Sequence, residues 1–287
     1  MEKPFNFEIM KTPNLLSGTA KIINRGLTEI IGPSARFDTI TTALLLKPPG
    51  GDLRAMIESL WRQMASNWVE AKCHTRGKQN WRWNPHRDTQ RTEGEVFLER
   101  TFIRLCDDSW ANQIPTSSGL NAAEEIVEED RKPGEPDEDS SGKGEGQAGN
   151  IDLAHYDAPA KTLTLVELKE TADNPVAAAF QITRYALALV LARHVNEKCP
   201  IITDERWIQA ERADLRVFAA NAFYDRTKGG SYDLGWFEGK LDEAVAEFGS
   251  RHKLAMSFAF RRYDRDALPR DQDALRDQLR TGKVYSL

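Results

Sequence analysis

Three residues whose types suit phosphate chemistry stand close together in the middle of the chain. Fourteen residues separate Asp152 from Glu167, and Lys169 follows two positions after Glu167. Carboxylates bind hard divalent cations such as Mg²⁺, and such an ion activates water and neutralises charge on a phosphate. A lysine beside them is suited to orient the attacking water or remove its proton. The combination predicts a site for metal-dependent hydrolysis.

The residues between Asp152 and Glu167 predict a β-hairpin. The apolar run Leu163–Val166 is typical of a buried strand, and Ala158–Lys161 supplies a turn. If the chain reverses between residues 159 and 160, paired positions sum to 319 and Asp152 faces Glu167, with Cβ atoms about 5 Å apart. Lys169 then lies on the same face, about 6–7 Å further along the strand. Two facing carboxylates repel each other, and a divalent cation would remove that cost.

Two predicted helices carry further polar side chains toward the hairpin. A long apolar helix is expected from about Val176 to Asn196, and Gln181 and Tyr185 share one face of it because they are four residues apart. An earlier helix, beginning near residue 92, carries Glu95 and Glu99 beside its apolar face. Both helices are expected to pack on the sheet and to supply groups to the same site.

The order helix, strand, insertion, strand, strand, helix, strand predicts an α/β fold with a mixed central β-sheet flanked by helices. We expect an N-terminal region (1–91) with a strand over 37–46, an amphipathic helix from Asp52 and a basic connector. A core (92–222) and a C-terminal α/β extension (223–287) follow. Within the core, residues 121–148 are rich in Glu, Asp, Gly, Ser and Pro and predict a mobile insertion.

These elements together resemble the PD-(D/E)XK nuclease superfamily, which has the restriction-endonuclease-like fold, over roughly residues 92–222. Asp152 and Glu167 match the two acidic positions of this superfamily, and Lys169 matches its lysine. Gln181 and Tyr185 match the Gln-x-x-x-Tyr element of its RecB-like branches. Ile151 stands where the name-giving proline would be, and the acidic insertion before Asp152 is a second departure. Helical Glu99, with Glu95 as the rival, resembles the acidic residue that often precedes this pattern.

The resemblance implies a Mg²⁺-dependent nuclease, with Mn²⁺ able to substitute, that acts on DNA in preference to RNA. The implied metal ligands are Asp152, Glu167, the backbone carbonyl of Leu168, and either Glu99 or Glu95. Gln181 and Tyr185 are expected to position Lys169 or to contact a phosphate. The alternative is a catalytically silent module of the same fold that binds nucleic acid or assists assembly in a larger DNA-processing or defence complex.

The connector over residues 72–91 has six basic side chains, one acidic side chain and two tryptophans. Basic groups on phosphates, with aromatic rings stacked on bases, are a common way to bind single strands. The candidate nucleic-acid contacts are Lys78, Trp81, Arg82, Trp83 and Arg87. The alternative is a solvated connector whose tryptophans pack on the core.

The composition is that of a soluble protein, and the charge is unevenly distributed. The net charge of −5 arises mainly from residues 119–150, which carry 3 basic and 10 acidic side chains, whereas residues 1–118 carry 16 and 13. The three cysteines form no CxxC pair, the N-terminus lacks a signal-peptide pattern, and the longest strongly apolar run, Ala186–Ala192, is too short to span a bilayer. We expect a cytoplasmic protein without a membrane partner, which forms a homodimer or has a protein partner in a larger system.

Overall fold

The computed structural model describes residues 15–30, 52–68, 80–87, 94–117, 149–170, 175–198, 200–224 and 234–284. The helices are α1 (Thr19–Ile30), α2 (Leu53–Asn67), α3 (Glu95–Arg104), α4 (Pro175–Val195), α5 (Glu205–Gln209), α6 (Asn221–Tyr224), α7 (Gly235–Arg251) and α8 (Gln272–Thr281). The strands are β1 (Trp110–Pro115), β2 (Asn150–Asp157), β3 (Thr162–Lys169), β4 (Arg212–Ala220) and β5 (Ala255–Tyr263).

The five strands form one mixed sheet in the order β1-β2-β3-β4-β5. β1, β2 and β3 pair antiparallel, whereas β4 is parallel to β3 and β5 is parallel to β4. Parallel neighbours need a crossover, and α4 and α7 lie in these two connections. The predicted α/β class, a mixed central sheet flanked by helices, is confirmed.

The hairpin between β2 and β3 has the predicted register. Leu153 pairs with Val166 and Asp157 with Thr162, so that paired positions sum to 319. At the turn, the Asp157 carboxylate accepts a hydrogen bond from the backbone N–H of Ala160, and Lys161 has a left-handed φ of 46°. The regular pairing ends at Leu153 and Val166, one position before Asp152 and Glu167 would face each other.

Helices cover both faces of the sheet. α4 packs on β3 and β4 in a core that includes Ala154 and Leu165. On the opposite face, Phe102 of α3 joins Leu153 and Val166 in a second apolar cluster. Because side chains alternate along a strand, Asp152, Glu167 and Lys169 lie on the face that α4 covers.

α4 is the central helix of the fold, and 15 of its 21 residues are buried. Its length and composition would suffice for a membrane span, but 83% of its most apolar stretch is buried inside the protein. Such burial is that of the core helix of a soluble protein. Helix α4 begins and ends within one residue of the positions predicted from the sequence.

The N-terminal region contributes two helices to the same core. α2 begins where Asp52 caps it by accepting a hydrogen bond from the N–H of Arg54. α1, which the sequence did not predict, packs on α2 at Gly26, where a Cβ would lie 2.3 Å from the sulfur of Met56. The strand predicted over 37–46 and the insertion over 121–148 fall outside the described residues.

The C-terminal region continues the central sheet. β5 pairs with β4 along nine residues, from Arg212 with Ala255 to Ala220 with Tyr263. α7 packs back on β5, and the carboxylates of Asp242 and Glu238 accept hydrogen bonds from the N–H groups of Phe258 and Phe260. Residues 234–263 therefore extend the same layered core by one strand and one helix.

Candidate active site

Three elements bring the predicted acidic residues and the lysine together at the end of β3. Lys169 Nζ lies 2.9 Å from Glu167 Oε1 and 3.5 Å from Glu95 Oε2 on α3. Asp152, on the neighbouring strand β2, accepts a hydrogen bond of 2.7 Å from the backbone N–H of Leu168. This bond fixes the carboxylate of Asp152 beside β3 where the regular pairing has ended.

Three members of the cluster are almost completely removed from solvent, whereas Asp152 and Glu95 are partly exposed. Glu167 is 0% exposed, Glu99 3% and Lys169 4%. The carboxylates of Glu167, Asp152 and Glu95 lie around the ammonium group of Lys169, and that of Glu99 lies beside Asp152. Buried charges require partners, and one cation does not balance four anions. The cluster therefore has to take up protons or another cation.

The pKa values of the carboxyl groups reflect this excess of negative charge. Burial, followed by the charge of Asp152, raises the pKa of Glu99 to about 8. Burial also raises the pKa of Asp152 to about 6, although Lys169 and the Leu168 N–H oppose the rise. Glu167 has its pKa raised well above its usual value by burial and by Asp152. All three groups hold protons more tightly than a free side chain does.

Lys169 remains protonated in this surrounding. Burial alone would lower the pKa of Lys169, but the charges of Glu167, Asp152 and Glu95 outweigh burial and raise it above its usual value. Its ammonium group is therefore a permanent cation near neutral pH and acts as a hydrogen-bond donor.

The donor set fits a divalent cation with few protein ligands. Glu167 Oε2 and Glu95 Oε1 are buried without a hydrogen-bond partner in the part of the chain that the structure describes. Over the same residues, no three Asp, Glu, His or Cys side chains converge closely enough to hold an ion by themselves. Mg²⁺ commonly binds one or two carboxylates with water and substrate oxygens. Asp152, Glu167 and the Leu168 carbonyl would form such a set.

The structure distinguishes Glu95 from Glu99, which the sequence left as alternatives. Glu95 is one-third exposed and contacts Lys169. Glu99 is buried, and its two carboxylate oxygens accept hydrogen bonds from the side chains of Asn112 at 2.6 Å and Gln113 at 3.3 Å. The sequence did not assign a role to these two amides, which lie in the middle of β1, the strand that follows the glutamate-bearing helix.

Gln181 and Tyr185 lie on one face of α4, as their spacing predicts. The Gln181 amide donates a hydrogen bond of 3.2 Å to the Tyr185 hydroxyl. Burial and then the charge of Glu167 raise the pKa of Tyr185 to about 12, so the hydroxyl remains protonated beside the cluster. The pair therefore borders the acidic residues from the α4 side.

Gly149 is a further residue of the site that sequence analysis did not identify. A Cβ at this position would lie 2.2 Å from Cε1 and 2.7 Å from the hydroxyl oxygen of Tyr185. The Gly149 carbonyl also accepts hydrogen bonds from the backbone and hydroxyl of Thr116. Glycine is required because the backbone that enters β2 passes directly over the ring.

Gly149→Ala is expected to destabilise the protein by about 1–3 kcal/mol, because the added methyl group displaces a buried aromatic ring. Urea denaturation of Gly149→Ala, Tyr185→Ala and the double variant measures this effect. If the clash is the cause, the double variant loses less stability than the sum of the two single variants. Additive losses would contradict it.

The connector residues that the structure describes are tied to the core. Trp81 is 0% exposed and packs edge-on against Trp207, so it cannot stack on a base. This placement fits the alternative, in which the tryptophans of the connector pack on the core. Trp83 also packs on Trp207, and Arg87 donates to the carbonyl of Cys106 and pairs with Asp108. Of the predicted nucleic-acid contacts, Arg82 is exposed, and Lys78 lies outside the described residues.

Comparison of the chain with protein-family models, with curated proteins and with solved structures gave no match. Function is therefore inferred from the geometry of the site.

Proposed function

We propose that the protein is a metal-dependent nuclease that hydrolyses phosphodiester bonds, with DNA as the favoured substrate and RNA as the second. The observation that carries this proposal is the cluster in which Glu167, Asp152 and Glu95 lie around Lys169 and Glu99 lies beside Asp152. Glu167, Glu99 and Lys169 of this cluster are buried. A fold gains little stability from an excess of buried carboxylates, so their arrangement at one end of a sheet favours a functional role. The element order α3, β1, β2, β3, α4, β4 supports the resemblance to the PD-(D/E)XK superfamily.

The residues of the chain have separable roles in this proposal. Asp152, Glu167 and the Leu168 carbonyl would hold the ion, with Glu99 favoured over Glu95 as the further acidic group. When bound, the ion would lower the pKa of a water molecule and neutralise charge that develops on the phosphate. Lys169, which stays protonated, would orient that water and donate to the phosphate oxygens. It is therefore better suited to be a hydrogen-bond donor than a general base.

The second candidate is a catalytically silent module of the same fold. The observation that favours it is the burial of Glu167 and Lys169, because a phosphate reaches them only if neighbouring side chains move. A silent module would bind nucleic acid without cleaving it.

Purified protein in Mg²⁺ or Mn²⁺ is expected to cleave at least one member of a panel of single- and double-stranded DNA and RNA. Asp152→Asn and Lys169→Ala are expected to reduce the cleavage rate by at least about 100-fold, because each removes a group that acts on the reacting phosphate. Gel electrophoresis of end-labelled substrates measures the rate.

Asp273→Asn, at an exposed carboxylate on α8, is the matched control and should retain full activity. Binding of the same nucleic acids without cleavage in any metal would favour the silent module. Cleavage that survives both site substitutions would contradict the proposed site.

A further inference from the structure

Asn112 holds Glu99 through a side chain whose hydrogen-bonding groups are all engaged. Its amide nitrogen donates to Glu99 Oε1 at 2.6 Å and to the carbonyl of His86 at 3.1 Å. Its amide oxygen accepts from the backbone N–H of His86 at 2.6 Å. An amide has two N–H donors and one carbonyl, so these three contacts fix which end faces the carboxylate. Asn112 is 1% exposed, so water does not compete for these bonds.

The connector that supplies the contacts from His86 is itself anchored to the core. The N–H of Trp81 donates to the carbonyl of Pro115 at 2.9 Å, and the ring of Trp81 is buried against Trp207. The indole of Trp83 donates to the carbonyl of Asp108 at 3.0 Å. Residues 80–87 therefore run along β1 as a fixed support for Asn112. This gives the connector a role at the site that does not require contact with nucleic acid.

Gln113 reaches the other oxygen of Glu99 from an unusual backbone conformation. Its φ is 49°, in the left-handed region that is unfavourable for residues with a side chain, although it lies within β1. The Gln113 amide nitrogen lies 3.3 Å from Glu99 Oε2, and its oxygen accepts from Arg100 at 2.9 Å. Arg100 thereby orients the amide so that its nitrogen faces the glutamate.

Backbone strain of this kind costs about 1 kcal/mol and persists only where the surroundings hold it in place. A glycine would adopt the same φ without that cost but would lack the amide. The contribution of Gln113 therefore lies in its side chain, which is directed at one carboxylate oxygen of Glu99.

We propose that Asn112 and Gln113 are positioning residues that clamp the carboxylate of Glu99 beside Asp152, and that residues 80–87 complete the clamp. The inference depends on the proposed function, because the clamped glutamate is the further acidic group of the metal site. Groups that orient a metal ligand commonly change metal affinity by about 10- to 100-fold when removed. Loss of either amide is thus expected to weaken metal binding.

The decisive variant is Gln113→Gly, because it separates positioning from stability. It removes the amide and relieves the left-handed strain, which offsets the greater entropy of glycine in the unfolded chain, so the stability in EDTA should lie within about 1 kcal/mol of wild type. Its affinity for Mn²⁺ is expected to fall by about 10-fold. Urea denaturation measures the stability, and titration followed by electron paramagnetic resonance measures free and bound Mn²⁺.

Asn112→Ala is expected to weaken Mn²⁺ binding by a similar factor and also to lower stability. Asn67→Ala is the matched control, because Asn67 is a buried amide that binds the carbonyls of Leu15 and Ser17, away from the cluster. It should lose stability and retain the wild-type Mn²⁺ affinity.

Two negative results have different meanings. If wild-type protein binds no Mn²⁺, or binds it no more tightly than the Asp152→Asn variant does, both the proposed function and the clamp are overturned. Wild-type binding that is lost in Asp152→Asn but unchanged in Gln113→Gly and Asn112→Ala overturns the clamp alone.

Discussion

In EDTA, wild-type protein is expected to lose about 2 kcal/mol of unfolding free energy between pH 6.5 and pH 8.5. The cause is the raised pKa of Glu99, about 8 in the folded protein against an ordinary value of 4.5. Over this interval the folded state holds a proton that the unfolded state has released. The stabilisation from Glu99 is fully present below the pKa that its carboxyl group has in the unfolded chain. It is lost as the pH rises through the pKa of the same group in the folded protein. Glu167, whose pKa is also raised, changes stability in the same direction.

The interval is chosen so that His155 does not obscure the effect. Burial, and then the charge of Arg276, lowers the pKa of His155 to about 4. This histidine therefore changes stability with the opposite sign. Because it is still half protonated at pH 6.5 in the unfolded chain, it adds back only about 0.4 kcal/mol over the interval, nearly all of it below about pH 7.5.

Urea denaturation at several pH values, with and without Mn²⁺, measures the effect. Glu99→Gln removes one titrating group and should reduce the pH dependence, with Glu167 responsible for what remains. A cation that competes with protons for the same carboxylates stabilises the folded state more at high pH than at low pH. Added Mn²⁺ should thus reverse the wild-type loss and have little effect on Asp152→Asn. A flat wild-type profile, or equal stabilisation of both proteins by Mn²⁺, would contradict this account of the cluster.

The hairpin and α4 could be predicted from the sequence because local rules determine them. Strand alternation and the short turn fix the register that pairs Leu153 with Val166, and the register sets which side chains share a face. Helical periodicity places Gln181 and Tyr185 on one side of α4 in the same way. The core of the candidate site is therefore encoded within about 35 consecutive residues.

The remaining parts of the site depend on tertiary contacts that no local pattern reports. Glu95 and Glu99 are four residues apart and share a helix face, so only the position of β1 reveals that Asn112 and Gln113 bind Glu99. By contrast, α1 has a local signal that the prediction overlooked, because Ile23 and Leu27 are four residues apart and share one buried face. Only its close approach to α2 at Gly26 depends on a tertiary contact, with the sulfur of Met56. Trp81 looked available because its connector is polar, whereas a distant tryptophan buries it.

Lys169→Met is expected to destabilise the protein by about 3–5 kcal/mol at pH 8 in EDTA, because it leaves the buried carboxylate of Glu167 without its cation. The methionine is close in size to the apolar part of lysine, so the loss comes mainly from charge. Glu167 would take up a proton at lower pH, and the deficit relative to wild type should shrink toward pH 5.5. Lys240→Met, at an exposed lysine on α7, controls for substitution of a lysine in general and should change stability little.

The same variant separates metal binding from catalysis. Without the ammonium group, a divalent cation meets less competing positive charge at Glu167, so Lys169→Met should bind Mn²⁺ at least as tightly as wild type and be stabilised by it. Cleavage should nevertheless fall by at least about 100-fold, because the group proposed to orient water and donate to the phosphate is absent. Mn²⁺ titration tests the affinity, and urea denaturation in saturating Mn²⁺ tests the stabilisation. Cleavage assays on the refolded, metal-loaded variant test the loss of activity. A variant that regains its stability with Mn²⁺ and cleaves at the wild-type rate would show that Lys169 balances charge in the fold and takes no part in the chemistry.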